Sequence, residues 1–198
     1  IFPGLQPLKI SSKEEAKKNL GLESNNTCLV FVGRLTQIKR PDRLLEIARY
    51  LKVNQPNSQI LIAGAGELLA TLESVSASEG LPITFLGWRS DIDLILSAGD
   101  IAILCSDNEG IPLTLIQASQ AGLPIVSTDV GGNRKYLEGT KNILVKKGDR
   151  DLICFTRAIY QLLYADKDFE VSRLSRFKAL KYDWRIVSEQ IQTFYSQL

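Results

Sequence analysis

Histidine and methionine are absent from the 198 residues, and cysteine occurs only three times. Without histidine the chain has no imidazole base and no imidazole metal ligand, so chemistry of that kind would need groups from elsewhere. The cysteines, Cys28, Cys105 and Cys154, all sit in apolar stretches. An odd number in such settings predicts buried, reduced thiols in a reducing compartment rather than a disulfide framework. No apolar run approaches the roughly 20 residues that a membrane-spanning helix requires. Charge of one sign is lacking too: 24 Lys+Arg face 22 Asp+Glu, a net of +2, with the basic residues scattered. That balance argues against nucleic acid as a partner held by bulk charge. The opening Ile1-Phe2-Pro3-Gly4 has no Met, no basic region and no signal-peptide pattern, and it is expected to be a cut inside a longer protein.

What is present is ordinary globular material, 44% hydrophobic and 23% charged, long enough to bury one sizeable core. Short β-rich runs stand at 27–32, 59–63, 83–86, 101–105, 124–128 and 143–145. Most are continuously apolar, as parallel strands covered on both faces should be. Between them lie helical periods: Leu44, Leu45, Ala48 and Leu51 behind Pro41, then 67–78, 91–98, 112–121 and 151–164. The alternation predicts an α/β fold, a doubly wound parallel sheet of about six strands with helices on both faces. Residues 1–22 read as a connecting segment with one helix, Ser12 and Glu15 being spaced as a capping box. Residues 23–166 form the sheet domain, and 167–198 carry helical patterning alone.

Sheets of this kind bind ligands beyond the carboxyl ends of their strands, so the residues just after each run matter most. After the first come Gly33, Arg34 and Lys39: a sharp exit, then two cations suited to a diphosphate or simply solvated. After the second, Gly64-Ala65-Gly66 lets a ligand approach the backbone or makes a plain tight turn. It is no dinucleotide fingerprint, because the third glycine position is Leu69 and no acidic residue ends the following strand. Gly87-Trp88 closes the third run, with Trp88 read first as a cap on the core and second as a platform for a base. The richest segment runs from Ser106 to Ala118. Glu109 and Gly110 lie on its loop, Pro112 opens a helix, and the amides from Ile111 through Leu113 to Thr114 would face the crevice and favour a phosphate. Glu109 can accept from sugar hydroxyls, and Gln117, over a turn further on, can reach a ribose; the plain alternative makes both solvated surface residues.

In order, these pieces resemble the carboxyl-terminal, donor-binding domain of the family-4 (group 1) glycosyltransferases, whose two-domain architecture is called GT-B. The pieces are G-R-x4-K at Gly33 to Lys39, G-x-G at Gly64 to Gly66, F-L-G at Phe85 to Gly87, and S-x2-E-G-x-P followed by A-x3-G-x-P-I-V. The resemblance spans about Cys28 to Gly148 and implies a Rossmann-like half of such an enzyme. It implies retaining transfer from a nucleotide diphosphate sugar, usually of uridine or guanosine (a UDP-sugar or GDP-mannose), without an obligatory metal or other cofactor. By this resemblance Arg34 and Lys39 hold the diphosphate as it leaves, Glu109 meets the donor sugar, and Gly131-Gly132-Asn133 lines the crevice. The family's second glutamate, which grips the ribose, is replaced here by Gln117, at a loss of about 1 kcal/mol of charge assistance. The acceptor site would belong to an amino-terminal domain, against which the helix from Trp184 to Leu198 would pack with a partly exposed apolar face. The implied location is the cytoplasm, at a membrane face if the acceptor is a lipid. A regulatory nucleotide-sugar-binding protein with a weakened site is the main alternative. A flavodoxin-like or phosphate-signalling module is disfavoured by cations where an acidic cluster or phosphate loop would stand.

Overall fold

The apolar runs pair as a single sheet in the computed structural model, which describes residues 4–110, 112–148, 151–164 and 169–196. The strands are β1 Thr27–Val32, β2 Ser58–Ala63, β3 Ile83–Gly87, β4 Ile101–Leu104, β5 Ile125–Thr128 and β6 Ile143–Val145. Their order is β3-β2-β1-β4-β5-β6, and every pairing is parallel. The helices are α1 Lys13–Asn19, α2 Asp42–Asn54, α3 Leu69–Glu79, α4 Ile92–Ala98, α5 Leu113–Ala121, α6 Gly132–Leu137, α7 Asp151–Tyr164, α8 Phe169–Leu180 and α9 Trp184–Tyr195. The strand order reverses between β1 and β4, which makes their carboxyl ends the switch point where ligands bind in sheets of this type.

The unbroken apolar runs are explained by the two-sided core. Successive side chains on a strand point to opposite faces. Leu29, Phe31, Ile60, Ile62, Ile101 and Ile103 pack on one face with Leu44, Ile47 and Leu51 of α2 and Phe155 and Ile159 of α7. Cys28, Val30, Leu61, Ala63, Ala102 and Leu104 pack on the other with Ile95 and Leu96 of α4 and Leu115 and Ile116 of α5. The expected α/β architecture is present, with strand bounds within a residue of those read from the pattern.

Two expectations are corrected here. Gly131-Gly132-Asn133 is more than a loop, since Gly132 opens α6. Buried Asn133, Tyr136 and Leu137 hold this short helix by packing, which overrides a glycine start too brief to show a period. Cys154 is exposed, while Cys28 and Cys105 are buried as expected. On α7 the inward stripe is Phe155, Ala158 and Ile159, and Cys154 falls off it.

The segment before α1 meets the turn that precedes α9. The Leu5 amide donates to the Tyr182 carbonyl at 2.7 Å, and the Trp184 amide donates to the Leu5 carbonyl at 3.0 Å. Ser12 caps α1 by accepting from the Glu15 amide. No helix among the described residues is long and apolar enough to cross a membrane.

Candidate functional site

Two loops leave the switch point, one after β1 and one after β4, and a glycine pair buttresses each. The first continues the pairing of its strand: the Gly33 amide donates to Ala63 and the Leu35 amide to Ala65. A Cβ on Gly64 would stand 1.8 Å from the Gly33 carbonyl oxygen, and one on Gly66 2.4 Å from that of Leu35. The Gly64-Ala65-Gly66 turn is therefore glycine-rich because a neighbouring backbone lies on it, a reason neither ligand approach nor a plain tight turn supplies. Leu35 is buried, and the single 3-10 turn Gln37–Lys39 follows. The exposed Arg34 guanidinium makes no hydrogen bond or ion pair among the described residues.

The second loop is built the same way. A Cβ on Gly131 would stand 1.9 Å from the Glu109 carbonyl oxygen, and one on Gly132 1.8 Å from that of Gly110. The Gly132 amide donates to the Glu109 carbonyl at 3.0 Å. Beneath, the Thr128 hydroxyl donates to the Ser106 carbonyl at 2.6 Å, and buried Asn133 donates to Thr128 and Ser127. Asn133 thus lies in the scaffold under the loop.

The loops are joined by their charged groups. Lys39 Nζ donates to Glu109 Oε1 at 2.5 Å, and the Ser106 hydroxyl donates to the same oxygen at 2.6 Å. The Glu109 side chain is 8% exposed and that of Lys39 20%. The sequence expectation had both cations open to an anion; Lys39 is instead paired, because burial of a carboxylate without a partner is costly. Beside them the Asp107 amide donates to the Ile38 carbonyl at 2.8 Å. Burial works against ionisation of the Asp107 carboxyl, but hydrogen bonds from Lys147 and Arg40 outweigh it and hold its pKa below the usual range.

Helix α5 starts over β1. The Thr114 hydroxyl donates to the Val32 carbonyl at 3.1 Å, which pins the helix's first turn to the end of the strand. The amides of Leu113 and Thr114 donate to no carbonyl among the described residues, so they form the anion-favouring end of the helix. Pro112 is buried and Leu113 exposed; Ile111 lies outside the described residues. Gln117, one turn into α5, is half-buried and its side chain hydrogen-bonds to no group among the described residues.

Trp88 corrects the first reading made of it. The residue is 76% exposed and caps no core. With Gly33, Arg34, Gly64, Ala65 and Arg89 it lines an open cavity of about 270 Å³. Gly87 turns the chain outward there at φ 66, where a Cβ would be strained. A larger cleft of about 470 Å³ opens at the amino ends of the strands, around Asp100, Gly122 and Arg176. Its Asp100 is paired with Lys13, and Arg176 donates to the Ala121 carbonyl, so its charges serve the fold.

Sequence reasoning singled out Arg34, Lys39, Glu109 and Gln117 and placed Ser106 and Asp107 in the same segment, but it assigned no role to Ser106, Asp107 or Arg40 and did not see the buttress made by Gly131 and Gly132. The glycine doublet was the signal available for the last of these. The family model for glycosyl transferases group 1 matches residues 12–168, most of the chain. The chain belongs to that family. It is 36% identical over 129 residues to the UDP-Gal:alpha-D-GlcNAc-diphosphoundecaprenol alpha-1,3-galactosyltransferase of Escherichia coli, covering 63% of this chain and 33% of that protein. It is 25% identical over 195 residues to the putative glycosyltransferase EpsD of Bacillus subtilis (strain 168), covering 96% of this chain and 51% of EpsD. The chain therefore spans between a third and a half of these relatives' length. Its fold matches Anabaena Alr3699/HepE, solved in complex with UDP-glucose, with a TM-score of 0.86 at 21% identity over all of this chain and 57% of that one. It also matches WaaG, a glycosyltransferase involved in lipopolysaccharide biosynthesis, with a TM-score of 0.76 at 20% identity over 89% of this chain and 50% of WaaG.

Proposed function

We propose that this group 1 glycosyl transferase chain is the donor-binding domain of a retaining glycosyltransferase that moves a sugar from a nucleotide diphosphate sugar to an acceptor. The observation that carries the reading is the Lys39–Glu109 pair, set beside the unpaired Arg34 and the open amides of α5 at the switch point. The base lies on Trp88 in the small cavity, and the ribose hydroxyls meet Gln117. The diphosphate sits between Arg34, Lys39 and the amides of Leu113 and Thr114. Sugar hydroxyls donate to Glu109, while Lys39, held beside that carboxylate, presents its ammonium to the phosphate.

In the transfer the bond from the anomeric carbon to the diphosphate oxygen breaks, and a bond to the acceptor oxygen forms on the same face. The acceptor hydroxyl gives up its proton to the departing diphosphate oxygen. Negative charge grows on the departing diphosphate, and the two cations with the helix amides are placed to stabilise it. That charge neutralisation comes from the chain itself, so the reading calls for no obligatory metal or cofactor. The acceptor site lies on a second, amino-terminal domain, and Trp184, Ile186, Phe194 and Tyr195, exposed on α9, are the surface that meets it. Transfer by this chain alone is expected to be negligible. The location is the cytoplasm, where nucleotide sugars are made, with peripheral membrane contact if the acceptor is a lipid.

Gln117 favours a second reading, a nucleotide-sugar-binding regulatory domain with a weakened, non-catalytic site. Calorimetric titration with UDP, GDP and ADP and their glucose or mannose conjugates tests the binding that both readings share. One nucleotide should bind, and the Arg34→Ala, Lys39→Ala double variant should lose at least about thirtyfold, the equivalent of about 2 kcal/mol of charge-assisted bonding. Equal binding by the double variant would remove the donor-site assignment. Turnover by a protein that includes the second domain separates enzyme from regulator.

A further inference from the structure

We infer that Arg40, acting with Asp107, is a positioning residue that holds Lys39 against Glu109; its bearing on donor binding rests on the reading above. Arg40 directly follows Lys39 and ends the 3-10 turn in the left-handed region, at φ 49 and ψ 50. Only one other non-glycine residue, Lys141, has a positive φ among the described residues. A residue with a Cβ stays in that region only where its surroundings hold it. For Arg40 the hold is its side chain. The guanidinium donates to both carboxylate oxygens of Asp42, at 2.9 and 2.8 Å, and reaches Asp107 Oδ2 at 3.4 Å.

Asp107 belongs to the other loop, two residues before Glu109. Its amide donates to the Ile38 carbonyl, directly before Lys39. Lys147, from beyond β6, lies 3.2 Å from Asp107 Oδ1, and Arg43, buried under the loop, lies 3.5 Å from it while donating to the Cys105 carbonyl at 2.6 Å. The turn that carries Lys39 is thus fastened to the loop that carries Glu109 on both sides of the lysine, by Ile38 before it and Arg40 after it. Glu109 is the one side chain that pairs with Lys39 among the described residues, and the flexible four-carbon stem offers no hold of its own, so the anchored turn supplies what keeps the ammonium within reach of the carboxylate.

Arg40→Gly separates this role from a merely structural one. Glycine takes the left-handed conformation without strain, so the turn keeps its backbone option while the side-chain fastening to Asp42 and Asp107 is lost. A carbodiimide joins an amine to a carboxylate only where the two touch, and mass spectrometry of the cross-linked 198-residue chain reads the Lys39–Glu109 contact without any ligand. The Lys13–Asp100 pair, at the amino ends of the strands, serves as the internal control. Arg40→Gly and Asp107→Asn should each lower the Lys39–Glu109 yield about tenfold and leave the Lys13–Asp100 yield unchanged. An unchanged Lys39–Glu109 yield would overturn the inference, and so would an equal fall in both links, since the effect would then be a general loss of fold. UDP titration supplies a second arm: Arg40→Gly should weaken binding in the parent chain and have no further effect in a Lys39→Ala background. The same fold-loss in both backgrounds would show that Arg40 does not act through Lys39. Should the parent chain not bind UDP, the cross-linking still decides the positioning role, and the failure falls on the donor-site reading alone.

Discussion

Gly132→Ala tests the claim that a glycine buttress sets the position of the Glu109 loop. Gly132 is not among the residues with positive φ, so alanine meets no backbone strain there, only the contact. Its Cβ would stand 1.8 Å from the Gly110 carbonyl oxygen and 3.0 Å from the Gly110 carbonyl carbon. Both are backbone atoms, and no rotamer change relieves them. Restoring ordinary contact needs a relative shift of about 1.5 Å, and a misplacement of even about 1 Å in an active site costs about a hundredfold in rate. For stability two effects oppose each other. Alanine at a helix position gains up to about 1 kcal/mol over glycine, while overpacking costs about 1–3 kcal/mol. The contact wins, with a net loss of about 1–2 kcal/mol, or about 3–6 °C in Tm for a domain of this size. Gly110→Ala is the control, because its Cβ would meet nothing within 4 Å and its φ is not positive. Thermal unfolding followed by circular dichroism, together with UDP titration, should separate the two variants. Gly132→Ala with the Tm and UDP affinity of the parent would refute the buttress.

Three further outcomes are expected. Gln117→Glu restores charge assistance to the ribose hydroxyls and should tighten UDP binding about fivefold, the equivalent of about 1 kcal/mol, by calorimetry; no gain would mean that the ribose lies elsewhere. UDP should quench the fluorescence of exposed Trp88, and Trp88→Ala should weaken binding about tenfold if the base stacks on it, whereas Trp88→Phe should retain most of the affinity. Asp183 is held at a pKa of about 2 by hydrogen bonds from the Arg185 guanidinium and then the Arg185 amide. A carboxyl depressed in the folded state contributes stability that is present above its unfolded pKa, about 3.9, and is lost as pH falls through about 2. Tm measured from pH 5 to pH 2 should therefore fall less steeply in Asp183→Asn, and an unchanged slope would count against the pairing.

The sequence by itself determined the architecture and singled out the candidate site residues. Continuous apolar runs such as Cys28 to Val32 can be satisfied only with cover on both faces, and the helical periods between them supply it. Strand and helix patterns are local, so they are legible in one dimension. The same holds for motif spacing, which placed Arg34, Lys39 and Glu109 on the loops beyond strand ends and Gln117 a turn into the following helix. Tertiary structure alone decided how those residues meet. Seventy positions separate Lys39 from Glu109, and only the pairing of β1 with β4 brings them to 2.5 Å. Trp88 was misread because an aromatic beside a strand looks the same in sequence whether its strand end is covered or open, and β3 is the edge strand. The glycines at 64, 66, 131 and 132 carry the same lesson. In sequence they mark turns, but what requires them is a carbonyl from a loop distant along the chain, and that contact exists only once the sheet has assembled.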